Sequence, residues 1–118
     1  MLLLAHLLTT TADWRGSRIV LKSIVDDAGA KKERWDEFSS MGDDIRIDVS
    51  FDIMLRGDSE VRDIIAEHSR GASLVMLGMH VPELGQEVAY AERIHRLLDV
   101  LPDVVLVRNS GPFRGRLL

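Results

Sequence analysis

The chain has 118 residues, 46% of them hydrophobic and 29% charged, with a formal net charge of −4 at pH 7. That balance describes one folded globular domain rather than a disordered segment, and it leaves no dominant basic face for nucleic acid. Cysteine is absent, which excludes disulfides, thiolate metal centres and thiol nucleophiles and fits a reducing compartment.

The first run, Met1-Leu-Leu-Leu-Ala-His-Leu-Leu8, is almost wholly apolar. It is far too short to span a bilayer, which takes about 20 apolar residues. It also lacks the basic flank and small-residue cleavage site of a signal peptide. Residues 2–11 predict a buried helix ending in Thr9-Thr-Thr11, followed by a turn around Asp13-Trp-Arg-Gly16. A strand competes for Met1–Leu8, because periodicity alone does not separate the two in a short apolar run.

Residues 18–25 read as a strand, stopped by Asp26-Asp27. From Ala28 to about Met41 the spacing of Trp35, Phe38 and Met41 predicts a helix with Trp35 in the core, closed by Gly42 as a left-handed cap. Ile45, Ile47, Val49, Phe51 and Ile53 then alternate with Arg46, Asp48, Ser50 and Asp52, the pattern of a half-exposed edge strand. Gly57-Asp-Ser59 breaks the chain, with Asp58 as N-cap. Val61, Ile64, Ile65 and His68 follow at helical positions and end at Gly71.

Residues 73–79 and Val104–Val107 are nearly unbroken in apolar side chains, as strands covered on both faces of a parallel sheet are. Between them Val88, Ala91, Ile94, Leu98 and Leu101 recur at helical spacing, so the whole is a βαβ unit with a right-handed crossover. The predicted fold class over residues 1–118 is therefore α/β: a single domain with an open, mostly parallel sheet and flanking helices. In a flavodoxin-like layer the first strand is central. A chain that begins on a helix lacks it, which makes this chain a piece of something larger with that strand upstream of Met1. The alternative is that Met1–Leu8 is itself the strand.

No constellation of residues specifies catalysis. His80 and Glu83 follow the strand ending at Met79, at the edge where α/β sheets bind ligands, but one His with one Glu is a weak pair for metal or acid–base work. His6 and His68 sit on apolar helix faces. Asp26, Asp27, Asp43, Asp44, Asp58 and Asp103 flank predicted elements and read as caps and turn residues. Trp14 and Trp35 have no basic residues patterned around them for base stacking.

Gly78, Gly85 and Ser110 are the candidates for nucleotide phosphate. Nucleotide-binding members of the universal stress protein class resemble this architecture, and hold a triphosphate on a short Gly-x-x-Gly turn after the fourth strand and a Gly-Ser/Thr at a later helix start. Here Val81, Pro82 and Leu84 stand between Gly78 and Gly85, and Gln86 takes the place of the hydroxyl residue. Ordinary loop glycines are the expectation. Ser110 reads as part of a turn leaving the sheet.

Three segments together resemble the cytoplasmic C-terminal region of the cation–chloride cotransporter family, especially its prokaryotic members. They are Leu2-Leu-Leu-Ala-His-Leu-Leu8 with Asp13-Trp-Arg-Gly-Ser-Arg-Ile-Val-Leu21, then Leu74-Val-Met-Leu-Gly-Met79 leading into a proline-bearing loop, and Val104-Val-Leu-Val-Arg-Asn-Ser-Gly111. The resemblance implies a universal stress protein-like fold whose nucleotide loop is lost, without a cofactor, metal or catalytic residue. It implies a soluble domain at the cytoplasmic face of the cell membrane, partnered by the transmembrane domain of its own transporter and by a second copy of itself. Its role would be regulation or assembly, not transport and not enzymatic catalysis.

Overall fold

The structure, a computed structural model, describes residues 1–110. It is an α/β structure with two small parallel sheets and flanking helices, and it divides into two compact units. One comprises residues 2–59; the other contains Met1 and the described residues from Glu60 onward.

In the first unit, α1 (Leu2–Thr9) carries no Asp, Glu, Lys or Arg, and His6 is its one imidazole. Its last carbonyls are satisfied locally. The hydroxyls of Thr9, Thr10 and Thr11 donate to the carbonyl oxygens of His6, Leu7 and Leu8, each at 2.7 Å. The run is thus a helix rather than a strand, but it is not buried all round: Leu2 is buried, whereas Leu3, Leu4 and Leu7 share one exposed face. A 3₁₀ turn at Ala12–Trp14 and Gly16, at φ 85°, bring the chain into β1 (Ile19–Val25).

The helix α2 (Ala28–Asp44) starts where Asp27 Oδ1 accepts the Ala30 N–H at 2.7 Å, a side-chain cap for one of the free N-terminal donors. It runs past Gly42, so that glycine is inside the helix and not its cap. A Cβ on Gly42 would lie 3.6 Å from the Phe51 ring, an ordinary contact. The inner stripe runs through Arg34, Phe38, Met41 and Gly42. Trp35 falls beside this stripe and is 52% exposed, so it is not a core residue. Phe38 is, at 1% exposure, with its ring centroid 5.2 Å from that of Phe51.

Phe51 belongs to β2 (Val49–Leu55), parallel to β1 in register from Ile19↔Val49 to Val25↔Leu55. The alternation that marked residues 45–53 as strand does persist in burial. Pairing nonetheless starts only at Val49, because α2 continues to Asp44 and the Ile45 N–H donates to Met41 O. On the outward face Lys22 and Asp52, partners in the register, form an ion pair at 3.2 Å.

In the second unit, α3 (Val61–His68) begins at Glu60, and not behind an Asp58 cap, and no side chain caps it. It ends at Ser69 in right-handed helical geometry, so Gly71 is not a left-handed cap, and His68 is exposed rather than packed. Strand β3 (Val75–Gly78) pairs in parallel with β4 (Val104–Val107), and α4 (Glu87–Leu98) connects them. Helix α3 packs on α4.

The inner side of α4 differs from the predicted stripe. Tyr90 is buried and Ile94 and Leu97 are half-buried, whereas Val88, Ala91 and Leu98 are exposed. An aromatic ring with a polar tip supplies the buried anchor, so counting aliphatic residues alone rotates the helix by most of a turn face.

Candidate functional site

The sequence candidates gather at the carboxyl ends of β3 and β4, where open α/β sheets bind ligands. The parallel register sets Gly78 beside Val107, and the Met79 N–H donates to Val107 O at 2.7 Å. Two segments therefore leave the sheet side by side: residues 79–86 from β3, and Arg108-Asn-Ser110 from β4.

The first segment is held by Tyr90. Its phenol oxygen accepts the backbone N–H of His80 at 3.2 Å, and the imidazole meets the phenol ring edge-on with centroids 4.6 Å apart. The Arg93 guanidinium lies 5.6 Å from the centroid of that ring. Beyond His80 the chain closes a tight turn, in which the Gln86 N–H donates to Glu83 O at 2.9 Å with Gly85 at φ 86°. A left-handed third residue is what a type II turn requires, and glycine adopts it without a steric penalty. Leu84, at the second position of the turn, is 96% exposed.

These contacts give each candidate a local role. Gly85 serves the turn, and a Cβ there would meet nothing within 4 Å. Gly78 has no positive φ, and its Cβ would come no nearer than 3.8 Å to the Met1 side chain, an ordinary contact. The N-terminus of α4 carries Glu87 in its first turn and has no side-chain cap at Gln86, so its positive dipole end is already opposed by a carboxylate. Ser110 is exposed, three residues past β4.

His80 and Glu83 are both exposed, and His80 packs on Tyr90. Among the described residues no group of three or more His, Cys, Asp or Glu side chains could hold a metal ion. None of the helices among them is long and apolar enough to cross a membrane. Tyr90 is the residue that sequence reasoning missed. Its signal was available, since it is the chain's one tyrosine and falls on the helix directly after the loop it fixes.

No protein-family model, curated protein or solved structure matches this chain.

What the arrangement offers is thus a pinned loop presenting Val81, Leu84 and Val88, at 59%, 96% and 73% exposure, beside Glu83 and Glu87. Such a surface suits contact with another polypeptide better than it suits an anionic small molecule.

Proposed function

We propose that the chain is a non-enzymatic regulatory and assembly domain of a secondary transporter of the cation–chloride cotransporter type. On this reading it sits at the cytoplasmic face of the membrane, partnered by the transmembrane domain of the same transporter and by a second copy of itself.

The observation that carries the reading is the character of β1. Its side chains are apolar on both faces, with Ile19, Leu21 and Val25 on one and Val20 and Ile24 on the other. That composition belongs to an interior strand of a parallel sheet. Yet among the described residues β1 is hydrogen-bonded to β2 alone. Edge strands are normally guarded by lysine, proline or a bulge. The single lysine of β1 is engaged with Asp52 and the strand has no proline. An interior-type strand with an unguarded edge is suited to accept a further strand.

The finer fold on this reading is a universal stress protein-like sheet without its first, central strand. A doubly wound order 3-2-1-4-5 that lacks strand 1 retains the parallel pairs 2–3 and 4–5. The parallel pairs β1–β2 and β3–β4 support that order over the flavodoxin-like one. The three segments that resemble the cotransporter family also carry the elements expected of them: helix and tryptophan turn before β1, β3 before a proline-bearing loop, and β4 as closing strand.

A nucleotide sensor of the universal stress protein class is the rival. The roles of Gly78 and Gly85 above, and the carboxylates at the start of α4, weigh against it.

The DNA directly upstream of the codon for Met1 tests the proposal. Transporter membership predicts an in-frame strand segment preceded by a series of apolar stretches of about 20 residues each. A start signal with a stop codon immediately upstream would overturn it.

A further inference from the structure

The register of β1 on β2 decides which backbone groups of β1 are left over. In a parallel ladder a residue turns its N–H and its C=O to the same neighbouring strand, and successive residues turn to opposite sides. The Val25 carbonyl accepts the Arg56 N–H at 2.8 Å, so Val25 faces β2, and Ser23, Leu21 and Ile19 do so with it. Val20, Lys22 and Ile24 face the other way. Among the described residues no strand is bonded to that side of β1. Val20 and Lys22 are exposed there, and Ile24 is half-buried.

The open edge is self-complementary. Its side chains run apolar, charged, apolar, and the pattern is the same in reverse. A second copy laid antiparallel and centred on Lys22 sets Val20 against Ile24 of the partner subunit, and Lys22 against its own counterpart. Every N–H and C=O of Val20, Lys22 and Ile24 is then bonded. A shift by two residues in either direction sets Lys22 against an apolar side chain and leaves part of the edge unpaired. The centred pair is isologous, so it closes on itself instead of growing into a filament.

One cost attaches to this register, since like charges directly opposite each other destabilise a sheet pair. Lys22 already has its counter-charge. Asp52 is its neighbour across β1–β2 and holds the ammonium at 3.2 Å. At the axis the two lysines therefore lie in a row with a carboxylate at each end.

Resting on the reading of β1 as an association edge, we propose that two copies pair antiparallel through β1 about a two-fold axis at Lys22. The two-stranded β1–β2 sheets become one continuous sheet, and Asp52 permits the register by neutralising the lysines at the axis.

The test uses the full chain, which has no cysteine, so each introduced cysteine is unique. Opposed, hydrogen-bonded residues of an antiparallel pair have Cα atoms about 5.5 Å apart, within reach of a disulfide. Positions four residues apart are displaced by about 13 Å along the strand, out of reach. Under mild oxidation Lys22→Cys alone gives a covalent dimer. Val20→Cys and Ile24→Cys, carrying different tags, each stay uncrosslinked alone and crosslink to one another when mixed. In sedimentation, Asp52→Asn raises the dissociation constant about fivefold, and adding Lys22→Met to it restores the dimer. A dimer that crosslinks Val20→Cys to itself, gives no mixed crosslink, or is indifferent to Asp52→Asn overturns the proposal and leaves the association edge standing. A chain that is monomeric throughout overturns both.

Discussion

The phenol oxygen of Tyr90 accepts the backbone N–H of His80 at 3.2 Å, tying the first turns of α4 to the chain leaving β3. Nine residues of loop and helix lie between the two, and the bond closes them into a loop. Tyr90→Phe keeps the ring and deletes the acceptor. A net hydrogen bond of this kind is worth about 1 kcal/mol. The variant is expected to lose about that much in urea unfolding and to exchange the His80 amide faster, with exchange of the β1 and β2 amides unchanged.

Gly78 and Gly85 separate a structural glycine from an incidental one. Gly85 stands at φ 86°, where a Cβ costs about 1 kcal/mol, so Gly85→Ala should lower stability by that amount. Gly78→Ala should be neutral within about 0.5 kcal/mol, since its Cβ meets only ordinary contacts. Thermal or urea melts of the two variants check the pair. A large loss at Gly78 would mean that the backbone there is under a constraint other than these contacts.

Phe38 and Trp35 are a second pair, three residues apart on α2. Phe38→Ala removes a ring at 1% exposure and is expected to cost about 3–5 kcal/mol. Trp35→Ala removes a larger ring that is 52% exposed and should cost much less, under about 1 kcal/mol. Urea titration with far-ultraviolet detection decides the order.

The element order and the strand directions were legible because they rest on coarse period. Strict alternation located β2, and continuous apolar runs located β3 and β4 with their parallel pairing. The rotation of each helix was not legible. Trp35 and Val88 satisfy an apolar stripe as well as Arg34 and Tyr90 do until the partner surface is known, and a side chain with an apolar stem and polar tip is misplaced by counting hydrophobes. Cap positions failed for a related reason. Gly42 is a good left-handed cap in isolation, but α2 runs through it to Asp44, and α3 opens without a side-chain cap although Asp58 is nearby. At the candidate site the contact that explains His80 was not legible, because it depends on a residue ten positions away.

Nucleotide binding has a direct check. Titration calorimetry of the full chain with ATP and magnesium is expected to give no binding heat at millimolar ligand. Gly85 is committed to a turn, and Glu87 opposes an anion at the start of α4. Saturable heat that Gly85→Ala abolished would instead place a phosphate on the turn.

Sedimentation velocity across a wide concentration range tests most directly whether this chain is an association module. The interior character of β1 at an unguarded edge predicts a reversible dimer that grows with concentration. Val20→Lys, which adds a charge to a residue of that strand already 36% exposed, should weaken the dimer at least tenfold without unfolding the monomer. A single monomeric species up to the highest concentration reached, unchanged by Val20→Lys, would contradict it.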